Sequence, residues 1–442
     1  MLDFFNQINS IVWGPPLLIL LVGTGIYLTF RLGALQIFKL PLALRLIFKK
    51  DENATGDVSS FASLATALAA TVGTGNIVGV ATAIKLGGPG ALFWMLFAAF
   101  FGMATKYAEG LLAIKYRTTD ANGQVAGGPM YYILLGMGEK WRPLASFFAF
   151  AGILVALFGI GTFSQVNSIT DSMETNFSLS PSVVGPVLAV LVMLITFFGI
   201  KSISKVATKV VPFMAILYIL ATFTIVITNF DKLGQVISLV LTSTFTPVAA
   251  SGAFAGATIQ MAIQSGIARG VFSNESGLGS APIAAAAAKT DKPVEQGLIS
   301  MTGTFIDTII ICNLTGLSIL ITGLWTGDLN GAKLTSASFQ TVFGDLGSIV
   351  LTICLALFAF TTILGWNYYG ERCVEFLFGV KAIIPYRILF VTMVLLGAFL
   401  KLELVWVIAD IVNGLMALPN LIALLVLSPV IITETKKYFD KK

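Results

Sequence analysis

Apolar residues run along this chain in long blocks, with polar residues confined to short breaks between the blocks and a few places inside them. A helix that crosses about 30 Å of hydrocarbon needs roughly 20 residues. Eleven blocks approach or exceed that length, at 11–31, 58–84, 90–114, 146–170, 183–200, 206–229, 253–288, 296–323, 346–370, 382–400 and 403–432. The pattern predicts an all-α polytopic membrane protein with 11 transmembrane helices. Two stretches depart from it. Residues 34–49 mix apolar positions with Lys39 and Arg45, as an interfacial amphipathic helix does. Residues 233–250 are apolar but lie between Asp231 and a Gly-containing segment, which predicts an in-plane or re-entrant piece. Residues 1–12 contain no Lys or Arg, so the first block reads as a retained span and not as a cleaved signal peptide.

Composition agrees and removes several function classes. Of 442 residues, 56% are hydrophobic and 11% charged, against about 25% charged in a soluble domain. The chain has no His, which excludes Ser-His-Asp and Cys-His catalysis, His-ligated zinc and haem on a His. Cys312, Cys354 and Cys373 are far apart in or beside apolar runs and suggest neither a disulfide framework nor a metal knuckle. An intramembrane enzyme is a remote alternative, because no closely spaced acidic pair stands in for the missing His. No cofactor is expected.

The net charge of +5 would suit nucleic acid, but its distribution points to a lipid bilayer. On an alternating eleven-span scheme, 22 of the 27 Lys and Arg fall on one set of loops. The other set holds four, Lys85, Lys232, Lys333 and Lys401, and Arg269 lies inside a span. Basic loops stay in the cytoplasm. The N-terminus is therefore expected outside the cell membrane and the C-terminus in the cytoplasm.

With residues 1–56 set aside as a leading helix and a basic amphipathic segment, ten spans remain. They divide into five-helix halves at 57–230 and 253–442, joined by the in-plane segment 231–252. Five is odd, so the second half is inverted relative to the first, as in many secondary transporters. The first span of each half is interrupted at a matching place. One interruption is Ala70-Thr71-Val72-Gly73-Thr74-Gly75-Asn76-Ile77-Val78-Gly79, and the other runs from Gln264-Ser265-Gly266 to Gly277-Leu278-Gly279. Opening a helix in lipid strands polar backbone groups, at several kcal/mol each, unless protein, water or a ligand pairs them. The freed N-terminal end suits a carboxylate and the freed C-terminal end a cation.

Ionisable groups inside spans mark function with a partner to be found. Arg269 and Glu275, six apart, are expected to pair across the helix break or to form a gate. Asp307, Lys106, Glu109 and Asp410 are weaker candidates. Thr361 and Thr362 offer hydroxyls to a hard cation, with Trp366 one turn beyond Thr362. Phe163, Ser164, Gln165 and Asn167 form a smaller cluster inside another span.

Three stretches carry a resemblance. Gly87-Gly88-Pro89-Gly90-Ala91-Leu92-Phe93-Trp94-Met95 through Gly102, Gly127-Gly128-Pro129-Met130-Tyr131-Tyr132, and Arg269-Gly-Val-Phe-Ser-Asn-Glu-Ser-Gly-Leu-Gly-Ser-Ala-Pro282 resemble signatures of the sodium:alanine (alanine or glycine:cation) symporters. The resemblance covers nearly the whole chain and departs at Leu96, where the family usually has Trp, and at Ala286, where relatives often have His. It implies membership of the amino acid-polyamine-cation superfamily and a leucine-transporter-type fold. Thr71-Val72-Gly73-Thr74-Gly75-Asn76 is similar to the Ala-Val-Gly-Leu-Gly-Asn of that fold's broken first core helix. By resemblance, Thr74 and Gly75 amides hold a substrate carboxylate, while the Thr71 carbonyl and Asn76 lie near the amine and a second cation. Sodium takes carbonyls near Ala69 and Val72 together with Thr361 and Thr362. Phe272 and Trp366 wall a small side-chain pocket. The full set of expected substrate contacts is Thr71, Gly73, Thr74, Gly75, Asn76, Phe163, Gln165, Ser265, Gly266, Phe272, Thr362 and Trp366.

The implied activity is sodium-coupled import of small neutral amino acids, alanine or glycine, by alternating access. A proton-coupled or uncoupled transporter on the same fold, with Glu275 or Asp307 as carrier, is the alternative.

Overall fold

A computed structural model describes residues 2–49, 53–250, 252, 254–400 and 402–440. Lys50, Lys401, Lys441 and Lys442 of the charge count lie outside the described residues. Nearly everything else is helix. The one paired sheet among the described residues is a short antiparallel hairpin, Thr118–Thr119 with Val125–Ala126.

By length and composition, eight helical runs among the described residues can cross a membrane, and Ser60–Thr71, Val78–Gly87 and Pro181–Thr196 are shorter apolar helices. The first run begins earlier than residue 11. Helix Leu2–Val12 precedes Pro15–Arg31, and the two meet at Trp13-Gly14, where Pro15 and Pro16 open the second helix. Residues 34–49 form two short helices, Leu35–Phe38 and Leu40–Leu46. Residues 230–245 form one continuous helix, which buries Val236, Val240, Ser243 and Thr244 at helical spacing and packs on helix Gly90–Lys115. Its exposed face carries Ile237, Leu241 and Phe245, an apolar surface facing outward.

Besides the bend at Trp13-Gly14, the described residues include a break at 159–162, between helices Arg142–Phe158 and Phe163–Phe177, and the two predicted interruptions both open. After Ser60–Thr71 the chain turns extended at Val72 (ψ 91°), makes a 3-10 turn over Thr74–Asn76 and becomes helical again at Val78–Gly87. The second break is shorter than the sequence implied. Ile259–Asn274 is unbroken helix, and the chain leaves it at Glu275, which adopts a left-handed conformation (φ 57°). Gly277 (φ 90°) and Gly279 (φ 83°) follow with backbone angles that side chains rarely allow. Helix then returns at Ala281–Ala286.

Ser265 and Gly266 are therefore corrected from an interruption to a helix interior. Gly266 has no room for a Cβ against Ala91 and Trp94, and Gly270 lies against Met95, so these glycines bring Ile259–Asn274 close to Gly90–Lys115. Close packing is the commonest use of small residues in membrane helices.

The broken helices are tied together at the end that carries residues 55–58. Asp57 N and Val58 N donate to Ala287 O at 2.9 and 3.1 Å, and Lys289 N donates to Val58 O at 2.7 Å. The Arg117 guanidinium donates to Ala286 O, Ala288 O and Thr290 O at 2.7–2.9 Å and to Thr55 O at 3.0 Å. One side chain thus satisfies carbonyls that the short second half-helix leaves open. Farther along the same hairpin, Asp120 pairs with the buried Arg372 at 2.8 Å.

Candidate functional site

The first break is wired by side chains because its backbone has left the helical ladder. Gly73 N donates to Asn76 Oδ1 at 2.9 Å and Thr74 N to Gln165 Oε1 at 3.3 Å. Those amides would serve Ala69 O and Ala70 O in a continuous helix. Diverting them frees carbonyls at the C-terminal end of the first half-helix, where the helix dipole favours a cation. Across from them, Thr362 Oγ1 donates to Phe358 O at 2.9 Å and reaches Val72 O at 3.5 Å. A Cβ on Gly73 would stand 2.5 Å from Thr362 Oγ1, so Gly is what allows this approach.

Asp307 joins the two breaks. It lies on a π-helical turn, Phe305–Cys312, a distortion often found at functional sites. Its carboxylate accepts from Asn76 Nδ2 at 2.8 Å, Ser273 Oγ at 3.0 Å and Thr308 Oγ1 at 2.7 Å. Asn274 Nδ2 extends the cluster by donating to Thr308 Oγ1 at 3.0 Å. Gly75 meets Ser273 directly, since a Cβ there would stand 2.9 Å from Ser273 Cα. Every residue from Thr71 to Ile77 and from Glu275 to Ser280 is buried.

The second break has its own network. Glu275 accepts from Trp366 Nε1 at 2.9 Å and from Ser280 Oγ. Gly277 N donates to Glu109 Oε1 at 3.1 Å, and Asn420 Nδ2 bridges Glu109 Oε1 and Gly277 O at 2.7 and 2.9 Å. Arg269 does not pair with Glu275. It makes a bidentate bond to Asp410, at 2.9 and 2.8 Å, and lies over the Phe272 ring at 5.6 Å. Phe272 in turn lies tilted against Trp406, the ring centroids 5.4 Å apart. The Arg269–Asp410 pair thus joins helix Ile259–Asn274, which leads into the second break, to helix Leu402–Val426.

The structure brings together Thr71, Val72, Gly73, Thr74, Gly75, Asn76, Gln165 and Thr362, with Ala69 one turn below in the first half-helix. Phe272 precedes the second break on its own helix, and Trp366 reaches that break through its bond to Glu275. Thr361 turns the other way, its hydroxyl donating to Phe358 O at 3.1 Å and to Met214 Sδ at 3.5 Å. Phe163 packs edge-on against Phe158 at 5.6 Å and faces Gly397 on a neighbouring helix. Ser265 bonds its own helix at Met261 O, 2.6 Å away. Asp307, Ser273 and Asn274 are the central residues that the sequence left undervalued. The signal for Asp307 was present, a carboxylate inside the apolar run Phe305-Ile306-Asp307-Thr308-Ile309.

Several polar atoms here have no hydrogen-bond partner among the described residues. Thr74 Oγ1, Ser164 Oγ and Gln165 Nε2 are buried in this way, and so is Lys106 Nζ, beside a cavity of about 20 Å³ that Thr71 and Asn274 also line. Buried donors without partners are costly, and the first three lie on residues at or next to the first break. Together the breaks present donors suited to a carboxylate and oxygens suited to a hard cation.

The whole chain, residues 1–442, matches the family model described as the sodium:alanine symporter family. It is 54% identical over 441 residues to the sodium/alanine symporter AgcS of Methanococcus maripaludis, covering 98% of this chain and 96% of that one. An uncharacterized transporter of Haemophilus influenzae is 57% identical over 441 residues, covering 99% of this chain and 96% of that one. The fold matches the crystal structure of MhsT in complex with L-phenylalanine, with a TM-score of 0.58 at 14% identity, covering 86% of this chain and 98% of that one. The chain belongs to the sodium:alanine symporter family, whose members are secondary membrane transporters and not enzymes.

Proposed function

We propose that this protein is a sodium-coupled importer of small neutral amino acids, alanine or glycine. The observation that carries the reading is the junction of the two broken helices at Asp307, which links Asn76 of one to Ser273 of the other. The substrate carboxylate sits at the N-terminal end of the Thr74–Gly87 segment, where it takes the Thr74 amide from Gln165 Oε1 and accepts from the Gly75 amide, Gln165 Nε2 and Thr74 Oγ1. One sodium sits among the carbonyls of Ala69 and Val72 and the hydroxyl of Thr362, with Thr361 turning in when the ion binds. A second cation sits at Asp307, Ser273 and Asn76, close to the Thr71 carbonyl. Oxygen ligands suit a hard monovalent ion, and the Cys312 thiol lies beside this second site, 3.3 Å from Asn76 Nδ2 and from Ser273 Oγ.

Residues 57–230 and 253–442 form the two inverted repeats, 1–56 the leading element and 231–252 the connector. The basic loops face the cytoplasm. Arg269–Asp410 then closes the outer path and the Arg117 clamp the inner path. A zwitterion carries no net charge, so each sodium moves one charge, about 2.3 kcal/mol at 100 mV, or roughly a fiftyfold concentration ratio.

The test is uptake of labelled alanine into proteoliposomes with an inward sodium gradient, repeated with potassium in its place at fixed pH. Concentrative uptake that needs sodium is the expected result. Uptake that follows a proton gradient and ignores sodium would overturn the coupling and make Glu275 or Asp307 the carrier.

A further inference from the structure

We propose that Trp13, which precedes both repeats, is a positioning residue of the Arg269–Asp410 closure. Trp13 is buried in the bend between helices Leu2–Val12 and Pro15–Arg31. Its indole Nε1 donates to the main-chain carbonyl of Asp410 at 2.8 Å. Its own carbonyl accepts from Gln264 Nε2 at 3.3 Å. Asp410 lies on helix Leu402–Val426, and Gln264 on the same helix as Arg269, five positions before it. One residue therefore holds both helices whose side chains make the bidentate pair.

The fit is built into the neighbouring residues. Gly414, one turn beyond Asp410, would place a Cβ 3.3 Å from Trp13 Nε1 and would also collide with Val12. The missing side chain lets the leading segment lie flat on Leu402–Val426, which helix Leu2–Val12 follows. A cavity of about 280 Å³ opens beside the pair and is lined by Asn9, Trp13, Gln264, Arg269 and Asp410. The leading segment is one wall of this cavity.

A bidentate Arg–carboxylate bond is strong only when the two planes are held in register. Trp13 supplies that register through the main chain of one helix and a side chain of the other. When the helices part, at least one of its two bonds must break, so Trp13 favours the closed state. This role rests on the alternating-access reading for its meaning, but its test needs neither sodium nor an amino acid.

Trp13→Phe keeps the ring and removes the donor. Ser168→Cys is the reporter. Ser168 is buried, lines a second cavity that Arg269 also borders, and lies one turn from Ser164. The native Cys312, Cys354 and Cys373 are all buried, and protein without the reporter gives the background. A membrane-impermeant thiol reagent is applied from the Arg269 side in proteoliposomes, with Arg269→Gln as the opened control. Loss of one hydrogen bond is expected to speed labelling of Ser168→Cys about fivefold. An unchanged or slower rate overturns the proposal, since a merely structural role lowers the amount of protein and leaves the labelling rate per molecule unaltered. If Trp13→Phe does not reach the membrane, Gln264→Leu cuts the other bond and must give the same acceleration. An unchanged rate there is equally fatal. Failure of sodium-driven uptake leaves this measurement intact, so the two readings fall separately.

Discussion

Asn76 and Asp307 are joined twice. The Asn76 side-chain nitrogen donates to the Asp307 carboxylate at 2.8 Å and to the Asp307 main-chain carbonyl at 3.1 Å. The same carboxylate takes the Ser273 hydroxyl, so one buried charge spans both broken helices. An isolated carboxylate in a dry interior is expensive unless a cation or several donors compensate it. Neutralising it should leave the hydrogen-bonded frame largely in place and weaken a cation. Asp307→Asn is expected to reach the membrane and to raise the sodium concentration for half-maximal uptake roughly tenfold, about 1.4 kcal/mol. A sodium titration of uptake checks this, and an unchanged midpoint would remove Asp307 from the ion path.

Thr361 and Thr362 are adjacent in sequence but differ in what they touch. Thr362 reaches Val72 O at the first break, whereas Thr361 faces Met214. Thr362→Val should abolish sodium-driven uptake at physiological sodium, because it removes a hydroxyl beside the freed carbonyls. Thr361→Val should cost less, in proportion to how often its hydroxyl turns toward the ion. Equal losses in parallel uptake assays would mean that both hydroxyls bind the ion in the loaded state.

Gly75 tests how tightly the half-helices must meet. A methyl there would press into the Ser273 main chain, and overpacking of this kind costs about 1–3 kcal/mol. Gly75→Ala is expected to lower the thermal midpoint by a few degrees and to eliminate uptake, because the carboxylate donors move away from Ser273 and Asp307. Gly79→Ala, four positions on with open space around it, should be nearly neutral. Similar behaviour of the two in a melting assay would refute the close-contact explanation.

Much of this arrangement was readable from residues 70–79, where three glycines, two threonines and an asparagine interrupt an apolar run. The second interruption was legible in position but not in extent. Gly266 and Gly270 look like the glycines of a break, yet they serve close packing on Ala91 and Met95, and only the turn at Glu275–Gly279 opens the helix. The partner of Arg269 was hidden for a different reason. Asp410 is 141 positions away, and no periodicity within a helix links residues brought together by the fold. Asp307 was visible as a charge in a span, but its importance depends on Asn76 and Ser273, on two other helices.

The Arg269–Asp410 pair gives the last prediction. Arg269 is 17% exposed and Asp410 8%, so the pair is shielded on most sides without being sealed. Removing one partner of a buried pair costs about 3–5 kcal/mol, because the remaining charge is left uncompensated, and partial exposure here reduces that figure. Asp410→Asn should therefore slow uptake by destabilising the closed state, and it should leave an unpaired guanidinium stacked on Phe272. The reversed pair, Arg269→Asp with Asp410→Arg, keeps the charge balance and loses only the geometry. Uptake by the reversed pair is expected to exceed that of either single variant. A double-mutant cycle on initial rates measures the coupling directly, and purely additive losses would mean that the two side chains do not work as one closure.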